Sequence, residues 1–269
     1  MTAGKTSAAQ RFRALHASDS VLILPNAWDA GSAAIFRAAG AKAIATTSAG
    51  LAWSRGFADG DTLPVQNLLF AVDEIVSVVG DVPLSVDVEG GYSHDPSEVA
   101  DTVRRLSDMG VAGINIEDGG RDPKALAAKI EAIGKRSPGL FVNARCDVYL
   151  RELASGEGAV RETIERGKRY AAAGASGLFV PGASDPSDLK AIAAGVDLPL
   201  AIFAVPGLPP ARELYALGVR RLSAGDSLAA MAYGAARDAA ISFLHDGRSD
   251  DVISPRNVDY GETNALFGR

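Results

Sequence analysis

LSVDVEGGY, residues 84–92, sets the frame for the rest of the chain. Leu84, Val86 and Val88 fall on one side of an alternating run, the pattern of a strand. Asp87 and Glu89 fall on the other side, at the C-terminal end of that run. Two carboxylates projecting together repel each other and lose hydration if buried. They are tolerated where a cation sits between them or where one keeps a proton; at an exposed strand end they would simply be hydrated. Gly90 and Gly91 then let the chain turn sharply without crowding whatever the acids hold. Pro96 next opens a helical pattern, Val99, Val103 and Leu106, that ends at Gly110.

This unit of strand, turn and helix recurs on both sides. Upstream, 21–24 is an apolar run closed by Pro25. Asn26 or Asp29 can cap the following helix, which carries Ile35 and Phe36 and ends at Gly40. Residues 42–47 read as the second strand, leaving through TTSAGLAWSRG, and Pro64 opens a helix that Gly80 stops. Downstream, strands are expected at 113–116, 140–144, 177–180, 199–203 and 219–223. Helices follow from Pro123, at 157–173, at 186–194, in a short piece before Gly218, and from Asp226 to His245. Residues 7–17 form an amphipathic lead-in with Phe12 and Leu15. Strands this short and apolar are buried on both faces, and each crossover is long enough for a helix, so the strands should be parallel. Eight units in 269 residues predict one (β/α)8 TIM-type barrel domain, 1–269. A long C-terminal helix, 226–246, and a polar, loop-like tail, 247–269, complete it. No G-x-G-x-x-G follows the first strand, so a dinucleotide fold is not expected.

Composition narrows the function. With 47% hydrophobic and 22% charged residues the chain has the make-up of a soluble globular protein with an ample core. A formal charge of −6 and the lack of a basic stripe argue against nucleic acid and anionic membranes as partners. No apolar run approaches the ~20 residues of a membrane span, and the polar start MTAGKTSAAQRFRALH lacks a secretory core. Cys146 is the single cysteine. An intrachain disulfide is impossible, in keeping with a reducing, cytoplasmic setting.

In such a barrel the chemistry gathers where strands end. Those ends supply Asn26, Trp28 and Asp29; Thr47, Ser48, Ala49 and Gly50; Asp87 and Glu89; Glu117 and Asp118; then Asn143 and Arg145. Acids dominate strands three and four, and one arginine faces them from strand five. Carboxylates and water suit Mg2+ or Mn2+. His16, His94 and His245 are expected on the surface or in loops, so zinc is not. Arg145 can grip a substrate carboxylate bidentately, or it can form a salt bridge to Glu117 or Asp87. Backbone amides around 48–50 can take a second oxygen. No lysine stands at a strand end, which leaves a Schiff-base mechanism without a candidate. Cys146 reads as a small buried hydrophobe, and Asp226 disfavours a phosphate at the last helix.

NAWDAGSA, TTSAGLAWSRGFADGD, SVDVEGGY, GINIED and NARCDVYL, in this order, resemble the isocitrate lyase/phosphoenolpyruvate mutase superfamily. The likeness runs from about Pro25 to the eighth helix. It implies Mg2+ held through Asp87 and, by waters, through Glu89 and Glu117. It implies a 2-oxo acid whose carboxylate meets Arg145 and the amides of Thr47, Ser48, Ala49 and Gly50, with Trp28 and Asn115 also at the substrate. It further implies cleavage or formation of a C–C or P–C bond through an enolate, with Arg145, Glu117 and Asp59 catalytic. A homotetramer or homodimer is expected, in which the C-terminal helix packs on or swaps with a neighbour.

The chain departs from the superfamily pattern in its gate loop. Where the lyases carry K-[KR]-C-G-H, residues 117–126 read EDGGRDPKAL, and no asparagine of the mutase type lies between Asp118 and Leu126. Asn115 stands where the lyases have histidine. Arg121 is the strong cation of this loop. The first expectation is therefore a Mg2+-dependent lyase of small 2-oxo or 2-hydroxy di- or tricarboxylic acids, acting by C–C cleavage or decarboxylation. Alternatives are a P–C bond enzyme, such as a phosphonopyruvate hydrolase or mutase, and an oxo-acid-binding homologue without turnover.

Overall fold

The structure, a computed structural model, describes residues 7–254 and 257–268. The first six residues of the polar start, and 255, 256 and 269 of the tail, lie outside the described residues. The elements follow in the order α1 (Ala8–His16), β1 (Leu22–Leu24), β2 (Asn26–Ala27), α2 (Ala30–Ala38), β3 (Ile44–Thr46), α3 (Ser48–Ser54), α4 (Val65–Val79), β4 (Leu84–Asp87) and α5 (Pro96–Asp108). Then come β5 (Gly113–Glu117), α6 (Pro123–Arg136), β6 (Phe141–Arg145), α7 (Gly156–Ala172), β7 (Gly177–Phe179), α8 (Pro186–Gly195), β8 (Leu200–Phe203), α9 (Ala211–Ala216), β9 (Val219–Ser223), α10 (Ser227–Asp246) and α11 (Tyr260–Ala265).

The strands form one all-parallel sheet ordered β1-β9-β8-β7-β6-β5-β4-β3-β2. β1 and β2 are two pieces of one strand, parted at Pro25, which has no N–H to give a ladder. β1 pairs with β9 and β2 with β3, so the sheet closes into a TIM-type barrel across that proline. The Pro25 carbonyl still accepts from Ala45 N at 3.1 Å. Asn26 stitches the seam further, donating to Thr46 O at 2.9 Å and accepting from Gly225 N at 3.0 Å.

Local sequence explains where helices begin. Asp95-Pro96, Asp122-Pro123 and Asp185-Pro186 each place an aspartate at the N-cap and a proline in the first turn. The carboxylate accepts a free amide, while the proline lacks the N–H that would have none. Asp29, rather than Asn26, caps α2, with Ser32 completing a reciprocal box. Between strands and helices lies the main apolar layer, Val72, Ile75, Val103, Ile114, Ile130 and Ile202 among it.

The barrel floor is closed by α1. Phe12 meets Phe141 edge to face at 5.2 Å, and the His16 ring stacks on Phe141 at 4.2 Å. Gly113 makes this possible, because a Cβ there would lie 3.0 Å from the Phe12 ring and 2.8 Å from Phe141 O. His16 is thus buried, against the expectation of a surface residue. It anchors the floor, and its Nδ1 donates to Phe12 O at 2.8 Å.

Two other expectations are corrected. The tail, expected to be loop-like, includes α11. Asp226, expected to start the last helix, stands at the head of α10 without bonding an amide through its side chain. The exit of β3 forms α3. α10 also leaves the barrel early. Of its twenty residues only Ala229 is buried, while Met231, Ile241 and Leu244 are exposed. Ile23, on the outer face of β1, is bare, and an apolar groove of about 690 Å³ runs there between α2 and α9. Among the described residues no helix is long and apolar enough to cross a membrane.

Burial, with the Arg221 charge beside it, depresses the His16 pKa to about 3. In the unfolded chain it returns to about 6.5. Below that pH the unfolded chain takes up a proton that the folded chain refuses, so this residue's contribution to stability falls as pH drops from 6.5 toward 3. From pH 7 to pH 5 the loss is expected to be about 2 kcal/mol. Urea midpoints at both pH values should fall more steeply for the wild type than for His16→Gln; parallel falls would contradict it.

Candidate functional site

The register places the chemistry at one rim. β5 lies between β4 and β6, pairing Asn115 with Asp87 and with Asn143, and Glu117 with Arg145. Odd-numbered residues of these strands point into the barrel, so Asp87, Asn115, Glu117 and Arg145 converge. Asp87 is fixed from several sides. Its amide donates to Thr46 Oγ1 at 2.9 Å, its carboxylate accepts from Glu89 N at 3.0 Å, and the Asn115 side chain donates to it. Asn143 in turn donates to Asn115 Oδ1 at 2.9 Å, completing a buried relay.

Arg145 sits between two carboxylates. Nη1 lies 2.7 Å from Glu117 Oε2, while Nε and Nη2 reach Asp147 at 2.6 and 3.2 Å. The salt bridge read as an alternative for Arg145 is therefore present. Asp147, fully buried, was missed by the sequence reading and also receives Arg151 at 3.1 Å. An R-x-D spacing just past a strand end was the available signal. Asp118 faces the other way. It accepts from Arg166 at 2.9 Å, Tyr170 OH at 2.6 Å, Asp147 N at 3.1 Å and Gly120 N at 3.0 Å, tying the gate loop to α7.

Glu89 is engaged at the back of the rim. It accepts from the Asp61 amide and from Tyr92 OH. Asp61 accepts from Gly90 N at 3.2 Å, and the buried Lys129 donates to Gly90 O at 2.6 Å. The loop carrying Asp59 is thereby latched to the turn after β4. Asp61, Glu89 and Tyr92 hold φ values of 58°, 49° and 59°, costly for non-glycine residues and sustained here by these bonds. Arg121 lies 3.9 Å from Asp61 on the exposed gate loop.

A cavity of about 270 Å³ opens at the rim, into which Thr47, Ser48, Ala49, Asp59, Asp87, Asn115 and Arg145 project. Thr47 heads α3, so the amides of Ser48 and Ala49 have no helical acceptor. Of the residues expected there, Trp28, Gly50, Glu89 and Glu117 do not line it. Gly50 is pressed beneath α10: a Cβ would lie 2.8 Å from Trp28 Cβ and 3.1 Å from Ala229 Cβ. Trp28 packs on Phe36 and Tyr233. Trp53 lines the cavity instead, with Leu150, Phe179 and Phe203, none of which the sequence reading selected. Phe179 and Phe203 end their strands; the reading carried the first one residue too far, to 180, and ended the second at 203 as observed.

Burial raises the pKa of Asp87 and of Glu89, and pushes Glu117 up to about 8 even with Arg145 beside it. Arg221, buried in the barrel, is lowered to about 10 by the same cause. The rim holds more carboxylate than its cations offset, and all its donors are hard oxygens. That fits a divalent ion such as Mg2+, which keeps most of its waters. Among the described residues no three Asp, Glu, His or Cys side chains could share a metal directly. An ion here would therefore rest on Asp87, with other acids reached through water. Cys146 is buried, its thiol pushed up to about 12, far from a thiolate nucleophile.

Comparison with known proteins agrees with this geometry. The sequence signature of the phosphoenolpyruvate phosphomutase family matches residues 12–244. The chain belongs to that family. A Mycobacterium tuberculosis (strain H37Rv) protein of uncharacterized activity is 40% identical over 94% of this chain and 95% of its own length. A solved structure from Burkholderia cenocepacia J2315 superimposes with a TM-score of 0.86 at 34% identity, covering 97% of this chain and 95% of that one. An oxaloacetate decarboxylase of Ectopseudomonas mendocina is 34% identical over 63% of this chain and 60% of its own length. The chain is accordingly an enzyme of the isocitrate lyase/PEP mutase superfamily, whose members here include lyases of small carboxylic acids and phosphonomutases.

Asp118 serves the site through the loops it ties together. Asp118→Ala would leave the Tyr170 hydroxyl without its acceptor and Arg166 with Glu162 as its remaining acidic partner. A loss of about 1–3 kcal/mol is expected in urea unfolding, against less than ~0.5 kcal/mol for Arg121→Ala on the exposed loop.

Proposed function

We propose that this enzyme is a Mg2+-dependent lyase that breaks the C3–C4 bond of a small 2-oxo acid, with decarboxylation of an oxaloacetate-type substrate as the leading reaction. The observation that carries it is the convergence of Asp87, Asn115, Arg145 and the Ser48 and Ala49 amides on one small cavity without cysteine or histidine. Breaking the C3–C4 bond of such a substrate sends its electron pair toward the C2 oxygen and releases CO2. A proton then adds at C3 to give a pyruvate-type product. No base is needed to begin, which suits a cavity without histidine or lysine among its described lining residues.

Asp87 would hold Mg2+ directly, with Glu89 and Glu117 behind it through water. Bound there, the ion would supply Lewis-acid stabilisation of the negative oxygen. Arg145 would trade part of its contact with Glu117 for the substrate carboxylate, while Asp147 keeps its plane oriented. The Ser48 and Ala49 amides would donate to a second substrate oxygen. Asp59 would order the loop over the mouth. A phosphonate substrate is less well served, because a dianionic phosphoryl group beside the carboxylate would find only Arg145 among the cavity's cations.

The chain is also proposed to act as a homodimer or homotetramer joined through α10. Support comes from that helix's exposed apolar side chains and from the bare outer face of β1.

Incubation with oxaloacetate and Mg2+ should release pyruvate, EDTA should abolish release, and Asp87→Ala should lower kcat/KM at least ~100-fold. Phosphate from phosphonopyruvate, without pyruvate from oxaloacetate, would install the P–C reading instead. Light scattering after gel filtration should give a dimer or tetramer mass, shifted toward monomer by Met231→Lys with Leu244→Lys. A wild-type monomer would remove the assembly proposal.

A further inference from the structure

The cavity has two unlike halves. One carries the polar head-group side chains described above. The other is a wall of Leu150, Phe179, Pro181 and Phe203; Trp53 also lines the cavity. Phe179 and Phe203 occupy the final positions of β7 and β8 and meet edge to face at 6.5 Å and 89°. Gly225, at φ 62°, gives the Phe203 ring its room, since a Cβ there would lie 3.2 Å from it. Leu150 and Trp53 are 44% and 40% exposed, large apolar surfaces left open beside the mouth.

Charge sharpens the contrast. Among the described residues Arg145 is the sole cation lining the cavity, beside Asp59, Asp87 and Asp226. It is already shared between Glu117 and Asp147. One guanidinium can serve one substrate carboxylate. A second carboxylate kept at the far end would lie against phenyl rings, shed its hydration and find no cation there, the Ser223 hydroxyl beside Phe203 already donating to Ile202 O at 3.4 Å. A methyl or methylene at the same place gains from leaving water.

We propose that Leu150, Phe179 and Phe203 form a specificity wall that favours 2-oxo acids bearing an uncharged, alkyl substituent beyond C3 over those that retain a second carboxylate. The inference rests on the preceding reading that Arg145 and Asp87 receive the oxo-acid head. A departing carboxylate is the exception. Poorly solvated against the wall, it leaves as neutral CO2, whereas the retained distal carboxylate of a longer diacid has no such outlet.

Calorimetric titration with Mg2+ present tests this without turnover. Pyruvate, 2-oxobutanoate and 2-oxopentanoate share the head and lengthen by one CH2 at a time; 2-oxoglutarate matches the chain length of the last but ends in a carboxylate. Affinity should rise about fourfold per CH2, and 2-oxoglutarate should bind at least ~10-fold more weakly than 2-oxopentanoate. Phe203→Ala should flatten the alkyl series. Leu150→Arg, on an exposed turn, should raise the affinity for 2-oxoglutarate. Oxalate, which has a head and no tail, separates the two claims. Failure of oxalate to bind overturns the head-group reading and the wall with it. Oxalate binding with a flat alkyl series, or with 2-oxoglutarate tightest, overturns the wall alone. If Arg121→Ala then abolishes that tight 2-oxoglutarate binding, the gate loop supplies the second cation.

Discussion

A single guanidinium held between two carboxylates organises the mouth of this barrel. Arg145 contacts Glu117 on one side and Asp147 on the other, both largely or wholly buried. Ion pairs so far from water cost desolvation that their attraction only partly returns. Their value here is geometric. The bidentate contact to Asp147 fixes the plane of the fork, and the single contact to Glu117 leaves that side exchangeable. On the proposed reading, a substrate carboxylate would replace one partner without freeing the arginine. The excess of negative charge around Asp87 follows from the same arrangement, because one fixed cation cannot balance the acids delivered by β4 and β5.

Two further networks keep this geometry from relaxing. Asp118 looks outward from the end of β5 and gathers Arg166, Tyr170 and two loop amides. Asp61 looks inward from the loop before α4 and joins the turn after β4, where Lys129 clamps Gly90. Neighbouring acids in sequence, Glu117 and Asp118, thus do opposite things. Strand alternation sends one toward Arg145 and the other into the scaffold. A fold that alternates faces at every residue can place a rim group and its support side by side in the chain.

Much of the fold was legible because it depends on local signals. Apolar runs, prolines at helix starts and glycines at helix ends gave the alternation of strands and helices, and with it a barrel. Aspartate before proline marked three helix starts that the structure caps in that way. The floor was not legible. His16 is polar by composition, and it becomes a core residue only because the Phe141 ring, remote in sequence, stacks on it beside Phe12 of its own helix. At the site, the residues carried inward by β4, β5 and β6 could be read from parity. Trp28 could not be separated from Trp53, since each lies in a small-residue segment near a strand end and only three-dimensional packing decides which faces the cavity. Asp147 sits beyond its strand, where parity no longer applies.

The position of α10 links the outside of the molecule to its chemistry. Its one buried residue, Ala229, rests against Gly50, and Tyr233 on its next turn touches both Trp28 and Trp53. The first of those tryptophans precedes α2, while the second ends in the cavity. α3, which offers the Ser48 and Ala49 amides, is therefore packed from behind by the root of a helix whose remainder extends into solvent. Gly50 leaves room for this approach: a Cβ there would lie 2.7 Å from Thr47 Cγ2, 2.8 Å from Trp28 Cβ and 3.1 Å from Ala229 Cβ, so α3, the Trp28 segment or α10 would have to shift by several tenths of an ångström. That displacement is comparable to the tolerance of a hydrogen bond, so the packing of this helix and the aim of the two amides cannot be set independently.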